Sequence, residues 1–305
     1  TPASQEGEMP GGCVKKIGGE AMIYLCIAIL CSVSMSLIFK LSESGGSNRY
    51  AVTFFNSLGA LCIATIFALG GTFFSGSWFP AFFAEAGEVF GQMGKFSSLA
   101  SCGYAVLLAV AGGICSYIAY MVLQLCTAKN GAAMTTTFNK VGSIVPMTLS
   151  VLFLHEAPKM IQVVGAAVAI AAIFIIYFKR EAASVITMKI ALLGTLFFGG
   201  FSDFITKLFE TFGREEHQTL YVFYFFLFSS LVGLVAMLIK NRTIRRRDVI
   251  FGLITGIPAQ FLSRFLLLAL GQVPAFVVFP LYSVGTIVLM NIINLLFFKE
   301  PLTRR

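Results

Sequence analysis

Ser36-Leu37-Ile38-Phe39-Lys40-Leu41-Ser42-Glu43 closes the first long apolar stretch of this chain, and Asp203-Phe204-Ile205-Thr206-Lys207-Leu208-Phe209-Glu210 closes the sixth. The two share an apolar pattern with a lysine at the same place. Val141-Gly142-Ser143-Ile144-Val145-Pro146-Met147 in the fourth stretch is answered by Val284-Gly285-Thr286-Ile287-Val288-Leu289-Met290 in the ninth. Both of these exit through related sequences, Leu154-His155-Glu156-Ala157-Pro158 and Phe298-Lys299-Glu300-Pro301. One such match is chance in so biased a composition; three in the same order read as an internal repeat. Matched segments lie five stretches apart. If each stretch crosses a membrane, that odd offset turns the second copy upside down. Inverted repeats of this kind build secondary transporters, with the substrate site near the midplane between the copies.

Composition supports the membrane. Of 305 residues 57% are hydrophobic and 12% charged, and the mean hydropathy is +0.87; an ordinary soluble domain carries about 25% charge. A helix needs about 20 apolar residues to cross the hydrocarbon core. Stretches of that kind fall at roughly 21–39, 51–74, 102–126, 131–154, 160–178, 187–209, 219–239, 249–270 and 274–298. They are too long and too uniformly apolar for barrel strands, which would alternate. Residues 75–101, where Trp78, Phe82, Phe83 and Phe90 alternate with Gly, Glu and Lys, read instead as an interfacial amphipathic segment.

The expected fold class is therefore an all-α integral membrane protein with an inverted 5+5 repeat. Residues 1–20 form a polar tail, 21–178 the first copy with five spans, and 187–305 the second copy with four, a tenth span being expected beyond the end. The cell (plasma) membrane is the expected location. Loop cations decide orientation: Lys15, Lys16, Lys95, Lys159 and Arg214 lie on the side of the N-terminus, and the more numerous others, with Lys179-Arg180 and Arg245-Arg246-Arg247, lie opposite. The count puts the N-terminus outside.

The net charge of +8 is scattered in short clusters between apolar runs, so nucleic acid is not an expected partner. The seven cysteines include no CxxC and read as small buried side chains. No metal or other cofactor is implied. An enzyme needs a nucleophile with its base, or a metal cluster; His155 and His217 are the only histidines and stand without motif spacing, so no enzyme is expected. No phosphate-binding loop is present, so direct ATP drive has no support.

Pro146 followed by Leu154-His155-Glu156, then Gln162-Val163-Val164-Gly165-Ala166, together with the lysines closing spans 1 and 6 and the ending Phe297-Phe298-Lys299-Glu300-Pro301-Leu302-Thr303, resembles the EamA-like family of the drug/metabolite transporter (DMT) superfamily. The resemblance runs from about residue 22 to the end. It implies a ten-helix permease and says little about substrate. It also implies an N-terminus inside, against the charge count, and His155 stands where the family often has Gly.

An ionisable group at mid-bilayer costs about 2.5–3.5 kcal/mol on insertion scales, so each needs a reason. Lys140 is the most central, with Thr136 and Ser143 on its face of span 4. It reads as an anchor for a carboxylate or phosphate, or else as a lysine holding two helices together. Asp203 and Lys207, at i and i+4 near the end of span 6, read as an internal ion pair or as a coupling element. Arg264 either clamps an anion or snorkels to the interface. Tyr120 on span 3, Asn56 on span 2, and Tyr282 and Ser283, the span 9 counterparts of Asn139 and Lys140, complete the candidate substrate-binding set. Each of these is as readily a helix–helix hydrogen bond. Pro146, Pro258 and Pro280 are expected to loosen spans 4, 8 and 9. Gly165-Ala166-Ala167 and Ala169 give span 5 a small-residue face suited to close helix contact, with homodimerisation one use of it.

The expected function is alternating-access transport of a small metabolite across the lipid bilayer. No acid accompanies Lys140 among the mid-depth candidates, so substrates lean to anions or zwitterions such as amino acids or other carboxylates. The alternatives are a multidrug or cationic exporter of the same fold, and a non-transporting scaffold or receptor.

Overall fold

The computed structural model describes residues 19–69, 78–155, 189–240 and 243–297, with isolated positions between 160 and 171. Among the described residues there are helices and turns and no strand. The helices are α1 (Gly19–Ser44), α2 (Arg49–Ala68), α3 (Trp78–Gln92), α4 (Ser98–Asn130), α5 (Ala132–Val141), α6 (Ile144–Phe153), α7 (Lys189–Phe212), α8 (Gln218–Lys240), α9 (Arg246–Gln272) and α10 (Ala275–Phe297). Seven of them, α1, α2, α4, α7, α8, α9 and α10, are long and apolar enough to cross a membrane. Large apolar side chains such as Leu69, Ile190 and Ile239 stand on the outside of the bundle. This is a multi-pass integral membrane protein.

Local chemistry sets the ends of these helices. The Asn48 side chain accepts the Tyr50 N–H at 3.2 Å to start α2, and Ser97 Oγ accepts the Ala100 N–H at 3.3 Å to start α4. Gly131, with φ of +80°, turns the chain from α4 directly into α5. The interfacial segment forms α3, whose 15 residues are too few to span and which packs on α4 with Phe82 buried.

Span 4 differs from the expected single helix. It is split into α5 and α6 at Gly142-Ser143. Pro146 has no N–H to offer Gly142, and its ring would crowd that carbonyl in a regular helix. The chain tightens instead, with Gly142 N–H donating to Asn139 O (3.1 Å), Ser143 N–H to Lys140 O (3.2 Å) and Val145 N–H to Gly142 O (2.9 Å). Pro258 and Pro280, by contrast, sit inside unbroken helices. The expected span 5 and its small-residue face, the tail to residue 18 and the end from 298 lie largely or wholly outside the described residues. Of the cysteines, Cys102 and Cys126 are buried as expected, but Cys26 and Cys62 are exposed on the bundle surface, where lipid is as apolar as a core.

Helix α9 packs against both α1 and α2; α4 packs against both α7 and α8; α2 meets α8; and α10 meets α1 on one side and α5 and α6 on another. The α2–α9 contact is made close by Gly252 and Gly256, since a Cβ on Gly256 would stand 2.6 Å from the Ala60 nitrogen. The break in span 4 is held by α7 in the same manner. A Cβ on Gly200 would stand 2.2 Å from the Gly142 carbonyl oxygen, an atom of backbone that has little room to yield. Gly200→Ala is expected to destabilise the fold by about 1–3 kcal/mol, roughly 2–4 °C of thermal midpoint for each kcal/mol. A midpoint equal to that of the parent would show that α7 does not press on the break.

Two sets of loop contacts tie the bundle. At one, Asn48 N–H donates to Asp248 Oδ1 (3.2 Å) and Arg247 Nη2 to Gly46 O (3.2 Å), joining the α1–α2 loop to the start of α9. At the other, Arg214 N–H donates to Ser101 Oγ (2.9 Å), Arg214 Nε to Phe96 O (2.9 Å) and Phe96 N–H to Phe212 O (3.0 Å), joining the α7–α8 loop to the start of α4. Helix α8 begins beside the second set and ends beside the first. Its 23 residues at 1.5 Å rise put them on opposite ends of the bundle. So α1 finishes at one end and α7 at the other, and the two run antiparallel.

Candidate functional site

Where α5 gives way to α6, a cavity of about 80 Å³ opens between the helices. Its walls are Ser32, Met35, Ser36 and Phe39 of α1, Ser116, Tyr120 and Leu123 of α4, Asn139 and Lys140 of α5, Gly199, Ser202 and Asp203 of α7, and Tyr282 of α10, closed by Ala119 and Leu262. Lys140 sits in the last turn of α5, where the negative end of the helix dipole favours a cation. Its Nζ lies 3.7 Å from the centre of the Tyr282 ring, a cation–π contact. Asp203 lines the same cavity, and its charge attracts that of Lys140. The two are not an ion pair within 4.0 Å; among the described residues the ion pairs are Arg49–Glu43 and Lys207–Glu210. An ammonium and a carboxylate thus share a small polar space without neutralising each other directly.

The expected substrate set divides. Lys140, Tyr120 and Tyr282 meet in the cavity. Thr136 and Ser283 are buried next to it in sequence but do not line it. Asn56 is buried in α2 beside Gly252 and Gly256 of α9, with neither side-chain polar atom hydrogen-bonded among the described residues, and it too is outside the cavity. Arg264 lies over the Phe67 ring at 4.5 Å and lines a different pocket.

The expected Asp203–Lys207 pair is corrected by the structure. Lys207 Nζ donates to Glu210 Oε2 at 2.7 Å, one turn further on, which leaves Asp203 to the cavity. This also overturns the expectation that no acid accompanies Lys140. Helix geometry allows i, i+3 and i, i+4 partners equally, and spacing cannot choose between Asp203 and Glu210.

Ser32, Ser36, Ser116, Asn139 and Ser202 are wall residues that sequence reasoning did not single out. A signal existed for the first two. Ser36 is the repeat counterpart of Asp203, and Ser32 lies one turn before it on the same face.

No protein-family model matches the chain, and no curated protein matches its sequence.

Proposed function

We propose that this chain is a secondary-active transporter of small metabolites. In this reading it works by alternating access between two inverted halves, with zwitterionic or anionic substrates such as amino acids or other carboxylates. The observation that carries the reading is how the cavity walls are drawn from the two copies. Aligning Lys40 with Lys207 pairs Ser32 with Gly199, Met35 with Ser202 and Ser36 with Asp203. Aligning Gly142 with Gly285 pairs Asn139 with Tyr282. Each member of these four pairs lines the cavity, and the four residues that anchor the alignment, Lys40, Lys207, Gly142 and Gly285, do not. The packing is also exchanged onto itself: α1 on α9 corresponds to α7 on α4, and α2 on α9 to α8 on α4. A site between two inverted copies, beside a broken helix, is where inverted-repeat transporters hold their substrates.

Lys140 and Asp203 together favour a ligand carrying both charges, the ammonium of the protein meeting a carboxylate and the carboxylate meeting an amine. Among the described residues the cavity wall is polar and carries both charges, which suits binding and release of such a ligand. The resemblance to the EamA-like family points the same way. Asp203 also favours a second reading, export of organic cations by the same fold.

Counterflow in proteoliposomes tests the proposal. Vesicles loaded with unlabelled alanine should accumulate labelled alanine above protein-free vesicles, and a panel of amino acids, organic acids and quaternary amines should rank by competition. Accumulation and competition by quaternary amines alone would select the cation reading. No accumulation with any member of the panel would leave a scaffold or receptor.

A further inference from the structure

At the end of the bundle that carries the Ser101 contacts, the start of α8 and the second half of α9 enclose another cavity, of about 140 Å³. Its polar walls are Glu215, Gln218, Thr219, Gln260 and Arg264. None of these lines the central cavity. Three features make the pocket more than a gap. The Arg264 guanidinium carbon lies 4.5 Å from the centre of the Phe67 ring, a cation–π contact that holds the group at the pocket. Arg264 is half-buried and Glu215 exposed, and neither has an ion-pair partner among the described residues. Gln260, 2% exposed, contributes a polar residue to the wall.

We infer that this cavity is a second binding site, for a small group that carries an anion and an ammonium together. The anion meets the Arg264 guanidinium, and the ammonium meets the Glu215 carboxylate. Either charge alone would leave one of these two opposite charges of the site unmatched. The inference stands apart from the transport reading, because it uses no residue of the central cavity. Two sources supply this chemistry: a free molecule such as an amino acid, or the headgroup of an ethanolamine phospholipid at the membrane surface.

Binding is measured on the purified full chain carrying Lys140→Gln, so that the central cavity does not contribute. The soluble probes are alanine, phosphoethanolamine, N-acetylalanine and alaninamide, read by calorimetry and thermal stabilisation. The lipid arm compares nanodiscs of phosphatidylethanolamine with nanodiscs of phosphatidylglycerol. Amphoteric probes, or phosphatidylethanolamine, should bind or stabilise where the singly charged probes do not. Arg264→Gln and Glu215→Gln should each weaken that effect about tenfold. Arg264→Lys, which keeps the charge and loses the planar fork, should also weaken it and guards against a folding defect in the first variant. A response confined to phosphatidylethanolamine would make the lipid the source and uphold the site. Equal binding of N-acetylalanine or alaninamide, unchanged binding in well-folded Arg264→Gln and Glu215→Gln, or no response in either arm would overturn the inference.

Discussion

Lys140→Gln is expected to reduce uptake of a carboxylate-bearing substrate by about a hundredfold or more, while expression and helix content stay near those of the parent. Removing one member of a desolvated charge contact with a ligand costs about 2–5 kcal/mol. Lys140 is 6% exposed and lines the cavity with its ammonium over the Tyr282 ring. Arginine should not restore uptake. Its fork is broader than a point charge and would change the shape of a cavity of about 80 Å³. The variant also strips Asp203 of its one cationic neighbour on the cavity wall among the described residues. Lys140→Gln/Asp203→Asn separates these effects: it should recover any stability lost in the single variant and remain inactive. Retained uptake by Lys140→Gln would refute the site.

The second large effect is structural. Lys207→Met is expected to destabilise the protein by about 3–5 kcal/mol, because it leaves Glu210 charged and largely out of water. The side chains of Lys207 and Glu210 are 6% and 14% exposed and their charged atoms 2.7 Å apart. Lys207→Met/Glu210→Met should be milder than the single change, since no lone charge remains. Thermal midpoints of the two variants make the comparison. If the double variant were the less stable, the pair would be worth more than its desolvation.

How far these features were legible follows from what a sequence encodes locally and what it leaves to packing. Length and hydropathy located α1, α2, α4, α7, α8, α9 and α10, because crossing a bilayer imposes a ruler on any helix. The proposed repeat register aligns Asp203 with Ser36 and Tyr282 with Asn139, and all four line the cavity. The split of span 4 was only half legible. Pro146 signalled a disturbance, but Pro258 and Pro280 signalled the same and their helices run on. What distinguishes span 4 is Gly142 against Gly200, a contact between residues far apart in the chain. The partner of Lys207 was not legible at all, since Asp203 and Glu210 satisfy the same helical rule. Arg264 and Asn56 were recognised as unusual, but neither lines the central cavity, because depth in the membrane says nothing about which side of a helix a cavity lies on.

The two ends of the bundle are tied by different kinds of force. Around Asp248 the ties are hydrogen bonds to a fully buried carboxylate and from Arg247. Around Ser101 the hydrogen bonds are embedded in packed rings, with Phe90, Phe96, Tyr104 and Phe212 in mutual contact. Apolar association weakens on cooling, whereas polar ties keep most of their strength. The two ends are therefore expected to answer temperature differently, with cooling weakening the aromatic end relative to the polar one.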